Sequence, residues 1–215
     1  MSKSSEEDDA DSEQSLGNRL DNYYKEIGSY LRVTKAQQIL RRYFAMNAFD
    51  GAMTSLGVVI GAYISHIGDP SSVICIILIS GVAMMVSGFS GTYLTESAER
   101  NHSLNELEDA MLVNLDNTIY GKASRFVSIF AAIVDGGAPF IASIPSVIPF
   151  YLSTFGLIPI FSAFITSIIA SLLTLFTLGV YLGRVSGDNI WASGFKMVIA
   201  GIIVAALALL LNGRG

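Results

Sequence analysis

Long apolar runs alternate with short polar ones along most of this chain, and the run lengths predict its elements. A helix needs about 20 mostly apolar residues to cross the hydrocarbon core of a bilayer. Five stretches reach that length, roughly 48–67, 73–95, 126–152, 157–182 and 191–211. The expected fold is therefore an all-α membrane protein with five transmembrane helices per subunit. The third stretch holds Pro139, Pro145 and Pro149 together with Gly136 and Gly137. That content predicts a kinked or partly unwound crossing, tolerated where neighbouring protein or a polar cavity satisfies the backbone. Residues 18–47 carry tyrosines, basic residues and Ile27, Leu31, Ile39 and Leu40, the make-up of an amphipathic helix on the cytoplasmic surface. Residues 48–98 then read as the first two crossings, 99–122 as an acidic cytoplasmic helix and 123–215 as the last three crossings.

Composition supports the membrane reading. The 215 residues are 52% hydrophobic and only 14% charged, where a soluble domain carries about 25% charged residues. The formal charge of −5 belongs to one end: Glu6, Glu7, Asp8, Asp9, Asp11 and Glu13 face only Lys3 within residues 1–17. That segment lacks the apolar surface to fold and reads as a disordered acidic tail. Cys75 is the single cysteine, which excludes an internal disulfide and a multi-cysteine zinc site. The acidic, polar start does not read as a cleavable signal peptide.

Basic residues orient the crossings. Lys25, Arg32, Lys35, Arg41 and Arg42 precede the first, Lys122 and Arg125 lie between the second and third, and Arg184 and Lys196 flank the last turn. The other two connections, "HIGDPSS" and "STFG", hold no Lys or Arg. The positive-inside rule then places the N-terminus in the cytoplasm and the C-terminus on the far side, with Arg214 as a lone dissent. A short chain without targeting signals points to a prokaryotic cell membrane, with a vacuolar-type membrane left open.

The second crossing carries a stripe at steps of three and four: Met85, Gly88, Thr92, Glu96 and Glu99. A neighbouring stripe of Gly81, Met84, Gly88, Gly91, Thr95 and Ala98 is mostly small and suits close helix packing in lipid. The first stripe ends in two carboxylates, so Met85 rather than Met84 is expected on a polar path. Beyond it, Glu99, His102, Glu106 and Asp109 share one helix face opposite Leu104, Leu107, Met111 and Leu115, with only Arg100 interrupting the acids before Lys122. Oxygen and imidazole ligands of this kind suit first-row divalent metals. The residues alone leave a solvated acidic helix, interfacial Glu96 and Glu99, and a packing role for Met85 equally open.

Two Asp-Gly pairs lie in apolar surroundings, Asp50-Gly51 in the first crossing and Asp135-Gly136 in the third. An aspartate at a helix start is often an N-cap, yet "QQILRRYFAMNAF" before Asp50 reads as continuous helix. Intramembrane carboxylates are rare and usually mark ion or proton paths. His66 and Asp69, at the outer end of the first crossing, read as solvated loop residues.

With these features in place, the chain resembles the vacuolar iron transporter family. The similarity lies in "FDGAMTSLGVVIGAY", in "AMMVSGFSGTYLTESAERN", in the acidic connecting helix and in the Gly-Arg turn of "YLGRVSGDNIWASGFKMVIAGIIVAALALLL", and spans about residues 40 to 211. The chain departs from many relatives at Ser55-Leu56, where Thr-Pro is common, and at Phe89, where Glu is common. Asp135 has no counterpart in the general family pattern. The resemblance implies a homodimer with a metal path at the subunit interface, moving ferrous iron or manganese out of the cytoplasm, with proton antiport. It implies that Asp50 and Met85 line the path, that Glu96 and Glu99 stand at its cytoplasmic mouth, and, more loosely, that Glu106 and Asp109 belong to the insert that gathers metal.

The expected mechanism follows. Glu96, Glu99, Glu106 and Asp109, with His102 on the same face, gather a divalent cation; Asp50 binds it in the membrane with Met85 supplying a soft sulfur; and proton uptake by Asp50 or Asp135 releases it outward. A thioether favours ferrous iron, manganese or cobalt over magnesium and calcium. No tightly bound cofactor is expected beyond the transported Fe2+ or Mn2+, and the expected partners are the metal, the lipid bilayer and a second copy, without nucleic acid. A carrier or channel for another cation or small solute accounts for the crossings and the aspartates but not the acidic helix, and a structural membrane protein needs only the packing faces. No Ser-His-Asp set, multi-histidine site or phosphate loop is evident, so no enzyme is expected.

Overall fold

The structure is a computed structural model that describes residues 36–115 and 118–212. It consists of five helices: α1 Ala36–Ile64, α2 Pro70–Met111, α3 Ile119–Thr154, α4 Ile160–Ser186 and α5 Ile190–Asn212. Each is long and apolar enough to cross a membrane, the architecture of an all-α, multi-pass membrane protein. The acidic tail over 1–17 and the part of the amphipathic helix before Ala36 lie outside the described residues.

A helix forms over each expected crossing and is longer than its apolar window, although α1 ends at Ile64 and α4 begins at Ile160, inside the expected 48–67 and 157–182. α1 begins at Ala36 and runs without interruption through the boundary expected at 47–48. α2 has 42 residues and carries the acidic segment as its continuation as far as Met111. At 1.5 Å per residue it is about 60 Å long, twice the hydrocarbon thickness, so its polar part necessarily projects beyond a bilayer. Apolar length limits only the buried part of a helix, while i→i−4 bonding continues into polar sequence. By contact the described residues divide into two compact units, those of Thr95–Phe130 with those up to Ile39, and those of Leu40–Leu94 with those from Ala131.

In the second unit, apolar residues from four helices form the core. Val59, Val73, Ile77, Phe150 and Phe164 make one cluster, and Ala52, Leu56, Ala138 and Leu175 another. Many large apolar residues elsewhere remain exposed, among them Ile79, Leu94, Ile141, Leu173 and Leu210, as lipid-facing positions are. Glycines set two of the crossings. A Cβ on Gly51 would lie 2.3 Å from the carbonyl oxygen of Pro139, and one on Gly136 would lie 2.6 Å from that of Met85. The glycine of each Asp-Gly pair is thus where α3 meets α1 or α2 backbone to backbone, which only a residue without a side chain permits.

α3 is helical throughout despite its three prolines, so the expected unwinding does not occur. Each proline leaves the carbonyl four residues earlier without its amide partner, and serine hydroxyls bond other carbonyls along the same helix. Ser143 Oγ donates to the Phe140 carbonyl at 2.7 Å, and Ser167 Oγ of α4 donates to the Ser146 carbonyl at 2.6 Å. Ser146 Oγ lies 3.0 Å from Ser55 Oγ and 2.8 Å from Ser171 Oγ. This buried row of hydroxyls ties α1, α3 and α4 together where apolar surface gives helices in lipid little drive to associate.

The ends of α1 and α2 explain two loop residues. His66 sits at φ 54 in the left-handed region, with its amide bonded to the Tyr63 carbonyl and that of Ile67 to the Ala62 carbonyl, a Schellman termination. Asp69 then caps α2: its Oδ2 accepts from Ser72 N at 2.9 Å and from Ser72 Oγ at 2.6 Å, with Pro70 as the first helical residue. The Ser72 hydrogen bonds, side chain first and backbone second, hold the Asp69 carboxyl below its ordinary range. The capping aspartate of this region is Asp69, while Asp50 lies in the interior of α1.

Candidate functional site in the apolar helices

The second unit gathers its polar chemistry around Asp135. This residue is only 4% exposed, although it occupies the middle of a 36-residue apolar helix. Its two oxygens are met from two other helices. Asn47 Nδ2 of α1 donates to Oδ1, and Thr92 Oγ1 of α2 donates to Oδ2 at 2.5 Å. Asn47 Nδ2 also donates to the Tyr43 carbonyl at 3.2 Å, which anchors the amide to its own helix. A buried carboxylate with a donor on each oxygen avoids the penalty of an unsatisfied polar group.

Local sequence explains the convergence. Gly136 lets α3 approach α2 between Met85 and Phe89, and Gly88 faces Gly136 across the same crossing. Thr92 stands one turn beyond Gly88, so it meets the carboxylate one residue before Gly136. On the other side, Gly51 and Pro139 bring α1 and α3 together one turn away. Asn47, three residues before Asp50 and therefore on the same side of α1, reaches Asp135 there.

Asp50 itself is exposed. Met85 is half-buried and lines a groove of about 440 Å³ with Val86, Phe89, Ile133, Gly136 and Gly137. Asp50 is not among the residues that line that groove.

In the first unit two of the acidic residues, Glu96 and Glu106, are paired. Glu96 is buried and accepts from Arg100 Nε at 3.0 Å, one helical turn away. His102 Nε2 lies 3.6 Å from Glu106 Oε1, with both side chains largely exposed. Glu99 and Asp109 are exposed. Glu96, Glu99, Arg100, Ser103, Leu104 and Tyr120 lie along a groove of about 390 Å³. Among the described residues, no three of His, Cys, Asp and Glu gather as a ready-made metal site. Arg100 therefore does more than interrupt the acids: it neutralises the most buried of them.

Asn47 was invisible to a reading based on carboxylates, histidines and sulfur. Its signal was the three-residue step to Asp50. Thr92 lay on the recognised stripe, but only the fold shows that it bonds Asp135.

Among curated proteins, the chain is 33% identical over 175 residues to an uncharacterized protein of Methanocaldococcus jannaschii, covering 80% of this chain and 87% of that protein. No protein-family model matches the chain.

Proposed function

The chain belongs to the family of the Methanocaldococcus jannaschii protein, and we propose that it is a transmembrane carrier moving a divalent transition metal, ferrous iron or manganese, out of the cytoplasm in exchange for protons. The observation that carries this reading is the presence of two carboxylates, Asp50 and Asp135, inside helices of membrane-spanning length. A charged side chain at the centre of a bilayer costs about 3 kcal/mol even on the lowest scales. A protein that needed only packing faces would gain nothing from retaining two.

The two aspartates are in different situations, and the difference supports a path. Asp135 is enclosed and bonded, as a fixed element of the fold would be. Asp50 is exposed in the single subunit, and a carboxylate cannot remain against hydrocarbon, so a water-filled path between two copies is where it belongs. In this reading Asp50 binds the cation in the membrane and Met85 offers a thioether to it, selecting a transition metal over magnesium or calcium. Glu99, His102, Glu106 and Asp109 remain exposed and able to attract a cation at the cytoplasmic surface. Glu96 serves the same end through its pair with Arg100, which opens when a stronger cation competes. The resemblance to vacuolar iron transporters and the orientation from basic residues agree with export from a cytoplasmic N-terminal side.

Reconstitution into liposomes tests the proposal. Mn2+ or Fe2+ flux that depends on an imposed pH gradient and is lost in Asp50→Asn is the expected result. Folded protein that moves neither metal in either gradient direction overturns it.

A further inference from the structure

We propose that the groove between the polar end of α2 and the start of α3 is a binding site for a soluble organic ammonium ion, a protonated amine on an apolar body. This goes beyond the carrier reading and does not rest on it. The groove lies wholly within the first unit and has a volume of about 390 Å³, at the small end of the range for ligand sites.

The argument begins with Ser124. It is 8% exposed and lines the groove, and among the described residues its Oγ is the buried side-chain polar atom without a hydrogen-bond partner. Hydroxyls elsewhere in these helices turn back onto their own backbone. Ser128 donates to the Ser124 carbonyl at 3.0 Å, Thr154 to the Phe150 carbonyl at 3.0 Å and Thr174 to the Ala170 carbonyl at 2.9 Å. Ser124 makes no such bond. A buried polar atom left unpaired is costly, and one that opens on a groove finds its partner in what fills the groove.

Charge selects that partner. Glu96 and Arg100 are paired at 3.0 Å and cancel. The carboxylate of Glu99, exposed on the same helix, then leaves the groove with a net negative charge, which repels an anion. A divalent metal requires about six oxygens, and among the described residues no three of His, Cys, Asp and Glu gather. An ammonium requires only acceptors for its N–H donors. Glu99 and Ser103, one turn apart on α2, and Ser124 on α3 offer a carboxylate and two hydroxyls.

The remaining walls decide the body of the ligand. Ile39, Leu104 and Leu107 are apolar, and Tyr120 adds an aromatic ring, whose face also attracts a cation. A bare inorganic cation would leave these walls against water, whereas a hydrocarbon body covers them. An aminophospholipid carries the same ammonium, but its phosphate would bring a further negative charge beside Glu99. A soluble amine brings none.

The test uses the full chain in phosphatidylcholine nanodiscs, with phenethylammonium as the probe and equilibrium dialysis as the readout. Wild type is expected to bind the probe saturably, and its neutral analogue 2-phenylethanol about tenfold more weakly. Ser124→Ala and Glu99→Gln should each weaken probe binding about tenfold. Thermal unfolding separates ligand from scaffold: Ser124→Ala should leave the Tm of the ligand-free protein unchanged or raise it, because it removes a hydroxyl that has no partner. Absence of saturable binding by wild type, equal binding of 2-phenylethanol, undiminished binding by either variant, or a lowered Tm for Ser124→Ala overturns the inference. Loss of probe binding in nanodiscs that contain phosphatidylethanolamine overturns the soluble amine in favour of a lipid headgroup.

Discussion

A Cβ placed on Gly136 would stand 2.6 Å from the carbonyl oxygen of Met85, so α3 touches α2 backbone to backbone immediately beside Asp135. Gly136→Ala therefore forces the two helices apart, because the obstructing atoms belong to a main chain and not to a side chain that can swing away. A loss of about 1–3 kcal/mol is expected from such overpacking, with the Thr92–Asp135 hydrogen bond stretched. The adjacent Gly137 has nothing within 4 Å of its Cβ position, and Gly137→Ala should stabilise the helix by about 0.5–1 kcal/mol. Denaturation in mild detergent distinguishes the two. Equal effects would contradict the crossing described.

The Glu96–Arg100 pair is largely buried, with side-chain exposures of 9% and 13%. Removing one member of a buried pair is worse than removing both, because the remaining charge keeps its desolvation penalty. Arg100→Gln is expected to destabilise by about 2–3 kcal/mol, and the double variant Glu96→Gln/Arg100→Gln to recover much of the loss. A double-mutant cycle on detergent-solubilised protein measures it. The exposed His102–Glu106 pair should contribute less than about 0.5 kcal/mol in the same experiment.

Asp69 caps α2 through Ser72, and those bonds hold its carboxyl below the ordinary carboxylate range. A carboxyl with a depressed folded-state pKa contributes stability above its unfolded value, and that contribution disappears as pH falls through the folded value. Asp69→Ala should therefore lower the Tm at neutral pH, and the gap to wild type should close below about pH 4. Asp69→Asn, which caps nearly as well, should remain close to wild type at neutral pH. A gap for Asp69→Ala independent of pH would remove the carboxylate from the explanation.

Leu112, just after α2, holds φ 54 and is 90% exposed. A side chain in the left-handed region costs about 1–2 kcal/mol, and glycine takes that conformation without strain. Since Leu112 buries almost nothing, Leu112→Gly should stabilise the end of α2 by about 1 kcal/mol. Slower hydrogen exchange across Glu108 and the loop amides would show it. Faster exchange would mean that the leucine contacts something in the working protein.

The sequence by itself determined the five helices, because a run of apolar residues long enough to cross a bilayer is a local property that requires no partner to be recognised. It also contained the Glu96–Arg100 pair, since residues four apart on a helix meet wherever that helix lies. The two Asp-Gly pairs were visible too, and so was the conflict between a carboxylate and its apolar surroundings. How that conflict resolves was not. Asp135 and Asn47 are 88 positions apart, and whether an aspartate is enclosed or open depends on which helix crosses it and how closely. Only the tertiary structure decided that Gly136 and Gly51 are contact points, and that Asp135 is bonded by Asn47 and Thr92 while Asp50 stays exposed. The reason is physical: spacing along one helix sets which face a residue occupies, but burial and hydrogen bonding are settled by what the other helices bring to that face.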